Sequence, residues 1–103
     1  MMSAQPQPLE RAAKVLTLDT LQEANRNLSF NRYGMAILDR WAMNQPEELK
    51  ILENKNLIQL LTRLHKQQLK EQAILESPES QEQLRNGLMP HEILALHELP
   101  TSL

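Results

Sequence analysis

The stretch NLIQLLTRLHKQQLKEQAIL, residues 56–75, decides the fold because its leucines recur at helical spacing. On a helical wheel, one arc of roughly 100° holds an apolar row, and an arc of about 80° almost opposite holds a basic row. The apolar row consists of Leu57, Leu60, Leu61, Leu64 and Leu75. The basic row consists of Lys55, Gln59, Arg63, Lys66 and Lys70. This pattern predicts an amphipathic helix with a basic back.

The rest of the chain also favours helices over strands. Leu, Gln, Glu and Ala dominate the sequence, which has one valine and no alternating β-branched run. Pro46, Pro78 and Pro90 each precede a helical pattern. Because proline fits the first turn of a helix and not its interior, we expect helices to begin there. Gly87 stands where a left-handed residue would end the helix after Pro78. The sequence therefore predicts an all-α protein.

Two longer helices are expected at the centre of this fold. They span about residues 20–44 and 46–76, and the short turn between them would pack them as an antiparallel hairpin. Ser29 offers a possible N-cap, at which the first of the two helices could break. The short helices after Pro78 and Pro90 would then fold back over the apolar faces of the hairpin.

A single small domain accounts for the 103 residues. We expect a flexible N-terminal tail at residues 1–8, one helical domain at 9–99 and a frayed C-terminus at 100–103. No signal peptide is apparent, and no run approaches the ~18 apolar residues of a membrane span. The absence of cysteine excludes disulfides and fits a reducing cytoplasm, where we expect the protein to reside.

The three aromatic residues of the chain share one helix face. Phe30, Tyr33, Ile37 and Trp41 fall within an arc of about 80°. Such a row either forms the seam of the core or binds a partner, because Trp and Tyr are enriched in binding hot spots. A chain with so few aromatic residues needs them in its core, so the core interpretation is preferred.

The middle of the decisive stretch raises a second question, because residues 65–72 are mostly polar. In one interpretation the helix ends or bends near His65, and the polar segment is simply solvated. In another, the helix pairs with a second copy of the chain, and Gln68 and Gln72 meet across the seam. Polar residues at seam positions set the register of paired helices at some cost in stability.

A third interpretation assigns the basic row to an acidic partner or to nucleic acid. Several phosphates could be neutralised by this row, through Lys55, Arg63, Lys66 and Lys70. Arg32 and Arg40 could contribute further phosphate contacts. Against this, the net charge is −2 and the sequence pI is about 5.9, whereas dedicated nucleic-acid binders are usually basic. A charged face opposite an apolar one is most often only solvated.

Metal and catalytic signatures are weak. His91 and His97 are six residues apart, whereas a helical zinc site needs histidines four residues apart. His65 lies at the edge of the apolar row, and no spacing singles out a nucleophile with its base or a pair of acids. We therefore expect neither a metal nor a cofactor, and we expect the protein not to be an enzyme.

The sequence thus favours a small, non-catalytic helical module for protein–protein interaction, acting as a homodimer. Membrane binding is not expected. The alternative is a nucleic-acid-associated regulatory protein that uses the basic row. The residues expected in the core or in an interface are Phe30, Tyr33, Ile37, Trp41, Leu57, Leu61, Leu64, Gln68 and Gln72.

Overall fold

The structure is a computed structural model that describes residues 7–27 and 29–103. These residues form helices and no strands, which confirms the all-α prediction. Residues 1–6 of the expected flexible tail lie outside the described residues, as does Leu28. A 3-10 helix, Ala12–Lys14, comes first, and six α-helices follow. They are α1 Leu18–Arg26, α2 Arg32–Asn44, α3 Pro46–Lys55, α4 Leu57–Leu75, α5 Pro78–Arg85 and α6 Pro90–Leu96.

The prediction of two long helices at 20–44 and 46–76 is wrong, because an asparagine interrupts each of them. Asn56 has extended backbone angles, and its side chain accepts the backbone N–H of Gln59 at 3.1 Å. Asn31 starts α2 in the same way. Asparagine is among the best N-caps because its side chain replaces a missing helical hydrogen bond. Ser29 is therefore not the cap of α2.

The other helix boundaries follow the sequence signals. Pro46, Pro78 and Pro90 are the first residues of α3, α5 and α6, as predicted. Ser77 caps α5 by accepting the backbone N–H of Ser80 at 3.2 Å. Gly87 has a φ of 99°, a left-handed conformation that glycine adopts without steric cost.

Helix α2 lies at the centre of the main core. Its most extensive contact is with α4, and it also packs against α3 and the 3-10 helix. Two helices, α3 and α4, thus stand where the second arm of the expected hairpin would be. Among the buried residues of this core, Trp41 is aromatic and the others are aliphatic. Its buried members are Ala12, Leu16, Ile37, Leu38, Trp41, Ala42, Leu49, Leu60 and Leu64.

A second apolar cluster forms where α5 and α6 fold back over the end of α4. Leu75, Ile93 and Leu94 are buried there, and Leu84 and Leu99 pack against them. The two short helices therefore cover apolar surface of α4, as the sequence predicts for its C-terminal region.

The half-buried carboxylate of Asp39 and the buried carboxylate of Glu53 hold the N-terminal segment against the helices. We call these two residues the N-terminal clasp. Asp39 accepts the backbone N–H of Leu9 at 2.9 Å and that of Ala12 at 2.8 Å. Glu53 accepts the backbone N–H of Thr17 at 2.8 Å. Burial alone would raise the pKa of Glu53, but hydrogen bonds from threonine hydroxyls, Lys50 and the Thr17 backbone lower that pKa below its ordinary value.

Candidate functional site

The solvent-facing side of α2 forms a ridge with a groove on each side. Arg32, Ala36 and Arg40 are four residues apart and share this face, and all three line both grooves. We call these three residues the α2 ridge. Ala36 is exposed and is the smallest of the three, so the ridge is lowest at its middle. A low point of this kind lets the backbone of another helix approach closely.

The first groove separates the α2 ridge from the N-terminal segment and has a volume of about 420 Å³. Met35 and Met43 line it from α2, and Met43 is 54% exposed. Methionine side chains adapt to many partner shapes and are common at interaction surfaces. Glu10 and Arg11 stand on the opposite wall. The groove therefore combines an apolar floor with charges of both signs on one wall.

The second groove lies between the α2 ridge and α6 and has a volume of about 550 Å³. Leu75, Leu94 and Leu99 supply apolar surface to its lining. Arg32 lies at the rim, where its Nη2 donates to the Tyr33 hydroxyl at 3.1 Å. This hydrogen bond raises the pKa of Arg32 above its ordinary value, and the guanidinium places a positive charge at the rim.

A network of polar side chains from α2 and α4 borders the second groove. Arg40 binds the carboxylate of Glu71 through both terminal nitrogens, with the shorter contact at 2.6 Å. Gln67 donates to the same carboxylate at 2.7 Å and accepts from Arg63 at 2.8 Å. Arg63 also lies over the Trp41 ring, 5.2 Å from its centroid. These contacts fix the direction in which each donor points.

This network binds the backbone of residues 100–103. Gln67 donates to the carbonyl of Pro100 at 2.9 Å, and Arg63 donates to that of Ser102 at 2.9 Å. The carbonyl of Thr101 accepts two bonds, from Arg40 at 3.0 Å and from the Trp41 indole at 2.9 Å. The Leu103 N–H donates to the Gln45 side chain at 2.7 Å. The polar clamp, as we name it, consists of Arg40, Trp41, Gln45, Arg63 and Gln67.

The sequence predicts a frayed end at residues 100–103, whereas the structure holds this segment along the polar clamp. Three hydrogen bonds between neutral groups, worth about 1 kcal/mol each, and two from guanidinium groups, worth about 1.5–3 kcal/mol each, contribute about 6–9 kcal/mol. Partial burial of Leu103 against the main core adds about 1 kcal/mol. Ordering the backbone of four residues costs about 4–8 kcal/mol, so the segment is held by no more than a few kcal/mol.

The aromatic residues predicted to share a face do not share an environment. Ile37 and Trp41 are fully buried in the main core, with exposures of 0% and 1%. Tyr33 is half-buried beside the second cluster, and Phe30 is half-buried at the edge of the first. Of the leucines predicted for core or interface, Leu64 is buried, while Leu57 and Leu61 are half-buried.

Gln68 and Gln72, the residues expected at a dimer seam, make their hydrogen bonds inside the chain. Gln68 donates to the Ser29 carbonyl and accepts the Asn31 N–H, and Gln72 accepts from the Asn31 side chain at 2.9 Å. Gly34 makes room for this arrangement, because a Cβ there would collide with Gln68 and lie 2.7 Å from the Phe30 ring. The polar side chains in the middle of α4 thus form hydrogen bonds that join α4 to the start of α2.

The basic row does not act as one surface. Lys55, Lys66 and Lys70 are exposed, but Arg63 turns inward to Trp41 and Ser102. Arg40, a further candidate for phosphate contact, is occupied by Glu71. Both arginines already bind other residues of the chain, which leaves the three exposed lysines. The structure therefore gives less support to a phosphate-binding stripe than the helical wheel does.

Gln67 and Glu71 bind each other in the site, and the sequence does not predict a role for either residue. One signal was present, since polar residues including Glu71 occupy positions in the middle of α4 where the apolar row would continue. Their partners outside α4 are more than thirty positions away, the Pro100 carbonyl for Gln67 and the Arg40 guanidinium for Glu71. No periodicity within α4 points to such partners.

Neither a metal centre nor a membrane span emerges from the part of the chain described. Residues 7–27 and 29–103 contain no group of three or more His, Asp or Glu side chains arranged to hold a metal ion. No helix in those ranges combines the length and apolar character needed to cross a membrane. Comparison of the chain with family models, curated proteins and solved structures finds no significant match in any of the three.

Proposed function

We propose that this protein is a non-catalytic interaction module that forms a homodimer through the α2 ridge and its two grooves. The observation that carries the proposal is the shape of this face, a ridge between two grooves. Helices pack by inserting the ridge of one into the groove of another. A surface that offers both elements can pack against its own copy about a two-fold axis.

The chemistry of the face supports the same proposal. Its exposed apolar surface includes Met43 and the small side chain of Ala36, and contiguous apolar patches commonly mark interaction sites. Arg32 carries a charge at the ridge, and Glu10 carries the opposite charge on a groove wall. In a symmetric pair each Arg32 can approach the Glu10 of the other copy. Such charge complementarity favours one orientation over others.

The test is the solution mass, measured by sedimentation equilibrium over a range of concentrations. We expect a mass that approaches twice 11.9 kDa. The Ala36→Glu variant places a charge at the low point of the ridge and should weaken the dimer at least ~10-fold, since burying an unpaired charge is costly. Because Ala36 is exposed, this substitution leaves the main core unchanged.

The matched control is Ala73→Glu, which makes the same change at an exposed alanine of α4. It should dimerise as the unsubstituted chain does. A chain that stays monomeric at about 1 mM, a concentration at which even very weak pairs associate, would refute the proposal. Equal weakening by both variants would show that the α2 ridge is not the interface.

A further inference from the structure

We propose that the polar clamp is a binding site for an extended segment of a partner protein, and that residues 100–103 occupy it in the free chain. The proposal does not require the dimer, although Arg40 and the second groove belong to both sites. The partner segment would present three successive carbonyls and then an apolar side chain, as Pro100 to Leu103 do.

The clamp recognises backbone groups and not side chains. Its four donors bind carbonyl oxygens, and Gln45 accepts a backbone N–H. Among the hydrogen bonds of the described residues, none involves the side chain of Thr101 or Ser102. Ser102 is exposed, and Leu103 packs against the main core. Backbone bonds combined with one apolar anchor are how proteins bind extended peptides of varied sequence.

The donors of the clamp are held in place without its occupant. Arg40 and Gln67 both bind Glu71, and Arg63 is held by Gln67 and by the Trp41 ring. All of these contacts are made within α2 and α4, so departure of residues 100–103 would leave the donors in place. A site oriented in advance loses little freedom on binding a ligand.

The present occupant can be released. Pro100 and Ser102 are exposed, and only four residues are held. Glu98, with a left-handed φ of 54°, ends α6 in a Schellman motif, in which the N–H groups of Glu98 and Leu99 bind the carbonyls of Ala95 and Leu94. These bonds do not involve residues 100–103, so the segment can leave without unwinding α6. The second groove adjoins the clamp at Thr101, so a longer partner segment could gain contacts there.

A tethered occupant competes strongly, because its effective concentration is on the order of millimolar. The experiment therefore compares the unsubstituted chain with Leu103→Asp, in which the in-chain segment loses its apolar anchor. The probe is a fluorescein-labelled, C-terminally amidated peptide with the sequence of residues 98–103, ELPTSL. Its binding is followed by fluorescence polarisation. We expect Leu103→Asp to bind the probe at least ~10-fold more tightly than the unsubstituted chain.

A second substitution tests the clamp itself. Arg63→Met in the Leu103→Asp background keeps the aliphatic stem of Arg63 and removes the donor to the third carbonyl, so probe affinity should fall ~10-fold. Arg85→Met, at an exposed arginine of α5, is the matched control and should leave the affinity unchanged. Circular dichroism of each variant confirms that it is folded.

Two results would overturn the proposal. One is failure of the folded Leu103→Asp chain to bind the probe, or binding that Arg63→Met does not weaken. The other is displacement of the probe from the Leu103→Asp chain by added Arg63→Met, which keeps its segment, but not by the Leu103→Asp, Arg63→Met double variant, which has the same α2 ridge. That result would assign the occupant to the segment of a second copy and not to a different protein.

Discussion

The two ends of the described chain are held by opposite chemistry. Near the N-terminus, the N-terminal clasp accepts backbone N–H groups with carboxylate oxygens. Near the C-terminus, the polar clamp donates to backbone carbonyls with guanidinium, indole and amide groups. The first arrangement suits the start of a helix, where N–H groups lack partners. The second suits an extended segment, whose carbonyls face the scaffold.

Each end depends on buried polar groups, but the carboxylates are placed differently at the two ends. At the N-terminal clasp they contact the held segment directly, and the lowered pKa of Glu53 shows that the folded chain favours its charged form. At the polar clamp the carboxylate of Glu71 lies behind Arg40 and Gln67 and does not bind the segment itself. Substitutions at the two ends therefore test whether the ends are equally important and whether acid loosens one of them first.

The largest effect is expected when Glu71 is removed from behind the polar clamp. Glu71→Ala leaves the guanidinium of Arg40 without its counterion and Gln67 without its acceptor. Breaking a largely buried pair in this way should lower the free energy of unfolding by about 3 kcal/mol. Urea denaturation followed by circular dichroism measures the change. Glu82→Ala, at an exposed residue of α5, is the control, and an equal loss there would contradict the role given to Glu71.

A smaller loss, about 2 kcal/mol, is expected for Glu53→Gln in the N-terminal clasp, since hydrogen bonds to a charged group are weakened. Because folding lowers the pKa of Glu53, its contribution is complete above the unfolded value of about 4.3 and disappears as pH falls through the folded pKa. The stability difference between the unsubstituted chain and Glu53→Gln should therefore shrink below about pH 4.3. A difference that stays constant or grows as the pH falls would contradict this assignment.

The smallest effect is expected outside both ends, at the exposed lysines of α4. Reversing Lys66 and Lys70 to glutamate should change the free energy of unfolding by less than about 0.5 kcal/mol, as is usual for exposed sites without partners. The same variant tests the nucleic-acid alternative. Salt-sensitive binding of DNA or RNA that disappears in this variant would restore that alternative.

The helical class and several boundaries could be predicted because their causes are local. Pro46, Pro78 and Pro90 begin helices through the fixed φ of proline, and Gly87 ends one because it lacks a Cβ. The break at Asn56 could not be predicted in this way. Asparagine inside a helix is only modestly unfavourable. The helical patterns before and after Asn56 therefore predict one continuous helix.

The candidate site depended on contacts between distant parts of the sequence. Residues 100–103 have no helical or alternating pattern, so their position follows only from donors on α2 and α4. The helical wheel assigned Arg63 to a solvated basic row, but the indole of Trp41 and the carbonyl of Ser102 turn it inward. A wheel gives the direction of a Cβ and not the position reached by a long side chain.

Three successive residues of α2 hold both ends of the described chain. Asp39 binds residues 9 and 12, while Arg40 and Trp41 bind Thr101. A mechanical pull applied to residues 9 and 101 would therefore pass through less than one turn of a single helix. Part of the pull would also reach α4, because Gln67 and Arg63 hold the neighbouring residues Pro100 and Ser102.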